Sequence, residues 1–152
     1  MKRILFICNV DWFFISHRLP IALEASRSNF EVHIACKYTT HENELISKGF
    51  KTHEINIKRG KFSLYSDFIV MFQILKILIY TSPNIVHLIT IKPIIFGGFI
   101  LRFFRKISVV FSFSGLGHTF VKEDFISKIR LFFIKNLYKF SLSNKRKHII
   151  FQ

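Results

Sequence analysis

Short, continuously apolar runs alternate along the chain with longer stretches in which apolar residues recur every three or four positions. Arg3 to Cys8 (RILFIC) is a run of strand length, the pattern of a strand buried on both faces. Ser16 can cap a helix whose first turn tolerates Pro20, with Leu19, Ala22, Leu23 and Ser26 at helical spacing. FEVHIAC, Phe30 to Cys36, reads as a second strand. The polar stretch after it predicts a short helix over Glu42 to Lys48, ended by Gly49. KTHEINI is a third strand, and Arg59-Gly60 begins a loop. Phe68, Phe72, Leu75 and Ile79 mark one face of a longer helix that Ser82-Pro83 stops. NIVHLIT, Asn84 to Thr90, is a fourth strand, and Pro93 opens a helix running to about Arg105. ISVVFSFS is a fifth strand, GLGHTF its loop, and DFISKIRLFFIKNLYKFSLSN an amphipathic final helix. KHIIFQ begins a sixth strand.

Strand and helix alternate with short connections, which implies an α/β fold with a parallel, doubly wound sheet and helices on both faces. The 152 residues make one domain, or one and a fragment, long enough to bury a core. No internal repeat, low-complexity tract or linker interrupts it. In such a sheet, ligands bind outside the carboxyl ends of the strands. The candidate chemistry therefore reduces to four connections: NVDWFFISHR, KRGKFS, ITIKP and SGLGHTF.

The first connection lacks the G-x-G-x-x-G that brings a dinucleotide pyrophosphate to a helix N-terminus, so a nicotinamide or flavin cofactor is not expected. Trp12 and Phe13 can form a flat apolar platform for a sugar ring or an isoprenoid, with Asp11, His17 and Arg18 as polar handles. Equally, Trp12 and Phe14 can plug the end of the sheet. Lys92 precedes a helix N-terminus, where backbone amides favour a phosphate or diphosphate. The alternative is a solvated lysine, with Gly97 and Gly98 serving close helix packing. In SFSGLGHTF, Ser114, Gly115 and Gly117 permit close approach of a ligand, and His118 supplies a group that donates or accepts near neutral pH. His87, within a strand, is expected to be buried structure. Carboxylates are scarce, which argues against a two-carboxylate hydrolase. Neither a metal-ligand cluster nor a Ser-His-Asp signature is visible.

Charge changes the picture of partners. With 23 Lys and Arg against 9 Asp and Glu, the formal net charge is +14, which attracts polyanions without choosing among them. No nucleic-acid motif is present, so nucleic acid is not the expected partner. Lys128, Lys135 and Lys139 share one side of the final helix beside Phe132, Phe133, Tyr138 and Phe140, an anionic-lipid pattern or an ordinary amphipathic helix covering the sheet. The N-terminus lacks a cleavage site for a signal peptide. The apolar stretch from Ile85 to Phe104 carries Lys92 and Arg102, whose insertion costs about 2.5–3.5 kcal/mol each at a membrane centre. Cys8 and Cys36 have no metal-ligand spacing and read as buried free thiols. The expected location from these features is the cytoplasm, and a place peripheral on the inner face of the cell membrane is implied by the resemblance that follows.

VDWFFISHRLPIALEA, FEVHIAC, NIVHLITIKPIIFGG and SFSGLGHTF, in that order, resemble the N-terminal domain of family 4 glycosyltransferases with the GT-B fold. The similarity covers residues 1–152, and its nearest branch is that of bacterial enzymes building capsule, O-antigen and similar glycans. It implies a Rossmann-like domain that binds the acceptor along an interdomain cleft. Such enzymes transfer sugar with retention from a nucleotide-sugar donor, as co-substrate, to an acceptor that is often lipid-linked. No cofactor and no metal is implied. The resemblance places His118 facing the donor sugar as the catalytic candidate, although many of these enzymes carry Tyr there. It places Asp11, Trp12, Phe13, His17 and Arg18 at the acceptor, and Lys92, Ser114, Gly115 and Gly117 near phosphate or sugar oxygens. Members also carry a second domain that holds the donor, and KHIIFQ ends inside the sixth strand. The expectation is a truncated transferase, inactive alone. The alternative is a non-catalytic membrane-associated subunit that recruits a donor-domain partner chain.

Overall fold

The computed structural model describes residues 1–57, 64–113, 136 and 138–151. The chain runs β1 (Lys2–Val10), α1 (Asp11–Arg27), β2 (Phe30–Lys37), α2 (Glu42–Ser47), β3 (Lys51–Glu54), α3 (Leu64–Thr81), β4 (Ile85–Ile89), α4 (Ile91–Leu101), β5 (Ser108–Phe113) and β6 (Lys147–Phe151). All pairings are parallel, in the order β3-β2-β1-β4-β5-β6. This is the Rossmann-like, doubly wound sheet that the sequence predicts, and the order reverses between β1 and β4.

Alternation along β1 builds two cores. Leu5 and Ile7 join Val86, Leu88, Ile74, Leu78 and Ile94 on the α3/α4 face. Ile4, Phe6 and Cys8 join Phe14, Ala22, Ile34, Cys36 and Leu45 on the α1/α2 face. Each fully buried aliphatic side chain contributes ~1.5–3 kcal/mol relative to exposure. Both cysteines are buried thiols outside any disulfide, as expected, and burial raises the Cys36 thiol far above its ordinary range.

The first helix differs from expectation. It starts at Asp11, directly after β1, so the stretch expected as a loop is helical. The acidic side chain of Asp11 favours a helix N-terminus. Ser16 is no cap: its hydroxyl donates to the Trp12 carbonyl at 3.0 Å, the habit of a serine inside a helix. Pro20 consequently lies in the middle of α1, where it removes one backbone donor. Most other boundaries fall close to prediction, although α4 ends at Leu101 rather than near Arg105 and β3 at Glu54 rather than Ile57. Gly49 takes φ of +83° after α2, and α3 ends at Thr81 before Ser82-Pro83. Helix α4 begins at Ile91, two residues ahead of Pro93.

Gly97 and Gly98 let α4 press onto the sheet. A Cβ on Gly97 would meet Leu88 Cδ2 at 2.6 Å, and one on Gly98 would meet Ser141 Cβ at 2.9 Å and Phe111 Cε1 at 3.0 Å. The packing role anticipated for these glycines is the one they have. Of the final helix, residues 138–141 are described as helical, with the Ser141 hydroxyl donating to the Ile95 carbonyl at 2.8 Å. Lys128 and Lys135 lie outside the described residues.

Candidate functional site

The strand order reverses between β1 and β4, so the crevice of this sheet lies beyond their carboxyl ends, bordered by the first turns of α1 and α4. Asp11 stands at the first border. Its carboxylate is fully buried and accepts the backbone N–H groups of Trp12 (2.8 Å), Thr39 (2.7 Å), Thr40 (3.1 Å) and His41 (3.0 Å), and the Thr39 hydroxyl (2.7 Å). Burial opposes its ionisation, but the hydrogen bonds from Thr39, His41 and Thr40 outweigh that and hold the carboxyl well below its usual range. The handle expected for an acceptor is therefore a clasp joining β1 to the β2–α2 connection.

The aromatic residues divide. Phe14 turns inward, fully buried, with its ring 5.4 Å from Phe6 in an edge-on contact. Trp12 stays exposed, and Phe13 stacks on His17 with centroids 4.2 Å apart and planes 12° from parallel. Trp12 meets Phe13 edge-on at 5.9 Å. Helical spacing joins Phe13 to His17, four residues later, on one face. Of the two alternatives foreseen, Phe14 alone is a plug, while Trp12 and Phe13 stand edge-on to each other rather than as one flat face.

Arg18 follows on the inner side of α1, 1% exposed. Its Nη1 donates to the His17 carbonyl at 3.0 Å, while Nε and Nη2 have no hydrogen-bond partner among the described residues. Those two nitrogens form the edge of a guanidinium that grips a carboxylate or phosphate with paired donors. Burial pulls its pKa down. His87, on β4, is buried as expected and holds the Ser112 hydroxyl at 2.6 Å through Nε2. Burial first, and the charge of Arg18 second, push the imidazole down to about 4, so it is neutral at neutral pH.

At the second border Thr90 adopts φ of +73°, a strained choice for a β-branched residue. Its hydroxyl donates to the carbonyl of Ile89. Lys92 follows in the first turn of α4, where it is buried rather than solvated, and its ammonium donates to Asp67 Oδ1 of α3 at 2.7 Å. The phosphate handle read from the sequence is thus half of an internal ion pair. Ser114, Gly115, Gly117 and His118 lie outside the described residues.

Sequence reasoning missed Asp67, whose signal is a single acid inside a largely apolar helix, and Thr90, which composition cannot flag. It also missed a polar cluster on the outer strands. Glu31 accepts from His33 (2.7 Å) and pairs with Lys51 (3.1 Å) and Arg3 (3.2 Å), and His33 reaches His53 at 2.8 Å. The hydrogen bond from His33, then that from Lys51, holds Glu31 near 2, while burial takes His53 down to about 4. Among the described residues no group of His, Cys, Asp and Glu could hold a metal ion. The rim brings together an aromatic surface outside, a guanidinium fork beneath, and a neutral imidazole on the same helix-facing side of the sheet.

Residues 3–152 match the family profile described as Glycosyl transferase 4-like. No curated protein sequence matches the chain. Solved structures share the fold at low identity. MurG from Acinetobacter baumannii matches with TM-score 0.60 and 13% identity, covering 88% of this chain and 39% of that one. The Streptomyces sp. SF2575 glycosyltransferase SsfS6 gives 0.53 and 11%, covering 74% and 39%. A UDP-GlcNAc 2-epimerase from Neisseria meningitidis, bound to UDP-GlcNAc, gives 0.56 and 15%, covering 98% and 46%. The chain thus spans less than half the length of each, and corresponds in fold to the N-terminal half of the GT-B glycosyltransferases among them.

Proposed function

The chain belongs to the glycosyl transferase 4-like family, and from that premise we propose that it forms the acceptor-binding half of a GT-B glycosyltransferase. The complete enzyme transfers sugar, with retention, from a nucleotide-sugar to a lipid-diphosphate-linked acceptor in bacterial surface-polysaccharide synthesis. The donor is a co-substrate, and no cofactor or metal takes part. The enzyme works at the inner face of the cell membrane, on anionic lipid. The donor is held by a second domain or by a partner chain; with neither present, this half binds acceptor without turnover, because holding both reactants in register supplies much of the rate.

The observation that carries the acceptor assignment is the juxtaposition on α1 of the Trp12, Phe13 and His17 surface with the buried, half-partnered guanidinium of Arg18. The rings offer a face for the apolar or sugar portion of an acceptor, and the fork matches a diphosphate oxygen pair. Asp11 acts as a positioning residue that fixes this rim. On the sequence resemblance, His118 is assigned to the donor sugar, and Ser114, Gly115 and Gly117 to phosphate or sugar oxygens. Lys92 orders the first turn of α4 beside phosphate or sugar oxygens through its pair with Asp67.

Trp12 is the only tryptophan, so its emission reports on the rim without a label. Titration with a short, water-soluble prenyl-diphosphate sugar is expected to change that emission saturably, and Arg18→Met to abolish the response. UDP-GlcNAc is expected to leave it unchanged, since the donor belongs to the other half. A response to the nucleotide-sugar and none to the prenyl-diphosphate sugar would overturn the assignment.

A further inference from the structure

The outer face of α3 is apolar where a surface helix ought to be polar. Val70, Ile74 and Leu78 point into the core, which accounts for one side of the helix. Tyr65, Phe68, Ile69, Phe72, Ile79 and Tyr80 nevertheless stand exposed on the other, with Tyr65 at 81%, Phe68 at 76% and Phe72 at 67%. They follow the spacing of a continuous stripe along 18 residues, a length of about 27 Å. Tyr65, Phe68, Ile69 and Phe72 surround a shallow apolar depression of about 480 Å³. A helix that is hydrophobic all round is ordinarily buried, and an exposed apolar patch of this kind marks a docking surface.

Charge selects the occupant. The one charged residue exposed on α3 is Lys76, a cation. The acid of this helix, Asp67, is turned inward onto Lys92. The chain as a whole carries +14. An aromatic face whose helix exposes a lysine and no carboxylate of its own, with Glu54 beside Lys76 and Tyr80 at the end away from Phe68, suits the headgroup zone of an anionic bilayer, where rings settle at the acyl boundary and cations meet lipid phosphates. No helix among the described residues is long and apolar enough to cross a membrane, so α3 would lie on the surface rather than span it. Topology adds a geometric argument. A helix linking parallel strands starts at their carboxyl edge, so Tyr65 and Phe68 fall toward the rim that carries Trp12.

We propose that the exposed aromatic face of α3, centred on Phe68 and Phe72, is the surface by which this domain docks on anionic lipid. The proposal deepens the acceptor reading and rests on it only for the lipid-linked nature of what the rim then meets. It also moves the membrane contact from the final helix, where the sequence suggested it, to α3.

The test is flotation with vesicles of phosphatidylcholine alone and with added phosphatidylglycerol. The wild-type chain should float with the anionic vesicles and remain at the bottom with the neutral ones. Phe68→Ser/Phe72→Ser should lower the bound fraction by roughly tenfold or more, from the loss of two inserted rings, with an unchanged circular dichroism spectrum. A tryptophan placed by Phe68→Trp in a Trp12→Phe background should shift to the blue on anionic vesicles. Equal flotation of the double variant and the wild type would sink the proposal. So would failure of the wild type to float, or a wild-type dimer in sedimentation that Phe68→Ser/Phe72→Ser dissociates, since a second copy would then cover the face. The Trp12 response to a water-soluble acceptor separates the two readings. Kept while flotation fails, it overturns the docking surface alone; lost while flotation holds, it overturns the acceptor site alone.

Discussion

The β1–α1 and β4–α4 junctions border one crevice, and each brings a charged side chain to it. Asp11 and Lys92 are the residues a sequence reading selects, and both are answered from within the protein, Asp11 by amides of the β2–α2 connection and Lys92 by Asp67. Arg18, two helical turns beyond Asp11, is as deeply buried, yet its Nε and Nη2 have no partner among the described residues. Buried ions are normally paired, because an uncompensated charge in a low-dielectric interior is costly. The comparison teaches that a charge placed at a binding edge is not thereby a binding group. The one left incomplete is the better candidate.

The largest expected effect falls on the clasp. Asp11→Ala removes the ionised acceptor of the Thr39, Thr40 and His41 amides, and at ~1.5–3 kcal/mol for each hydrogen bond to a charged group the loss should be about 5 kcal/mol. Urea unfolding measures it. A loss below about 1 kcal/mol would show that water replaces the carboxylate, and Asp11 would return to the list of open handles. Next comes the internal pair. Lys92→Met alone should cost about 3–5 kcal/mol by removing the cation opposite the buried Asp67 carboxylate, whereas Lys92→Met with Asp67→Leu should recover most of it. If the double variant is as unstable as the single, the pair is not what holds Lys92 in place.

A smaller effect distinguishes the neutral imidazole. His87 is held down to about 4 from 6.5 by burial and by Arg18. The unfolded chain takes up a proton below pH 6.5 that the folded chain refuses until about pH 4. Its contribution is therefore complete above pH 6.5 and lost as pH falls through that window, to a total of about 3 kcal/mol. His87→Gln should flatten this part of the stability profile. A slope unchanged by the substitution would assign the acid sensitivity elsewhere.

How much of this was legible depends on the range of the interaction. The strands, the sheet type and the ends of α2 and α3 follow from local patterns: apolar runs, the Gly49 position, the Ser82-Pro83 stop. The start of α1 did not follow, because aromatics before a serine resemble a capped helix preceded by a loop. What decides it is Asp11 reaching across to residues 39–41, a contact made only once β1 and β2 have paired. The same holds at the site. Trp12, Phe13, His17 and Arg18 could be named from their place after the first strand. That Lys92 is answered by Asp67, 25 residues away on another helix, is tertiary and leaves no trace in spacing. The outer face of α3 was hidden for the opposite reason. Its apolar residues were visible, but a pattern apolar on every side does not say which side is covered.

The smallest expected change in stability tests the comparison most sharply. Arg18→Met keeps the length and apolar stem of the side chain while removing a buried cation that has one hydrogen bond, to the His17 carbonyl. Replacing an uncompensated buried charge by an apolar side chain of similar volume is neutral or stabilising. Chemical unfolding should therefore shift by less than about 1 kcal/mol, in either direction. The Trp12 response to a prenyl-diphosphate sugar should disappear in the same protein. Arg18→Lys should restore little of it, since an ammonium lacks the paired donors. If Arg18→Met instead unfolds the domain as Asp11→Ala does, Arg18 is structural like its neighbours, and the crevice between β1 and β4 loses its only half-satisfied ion among the described residues.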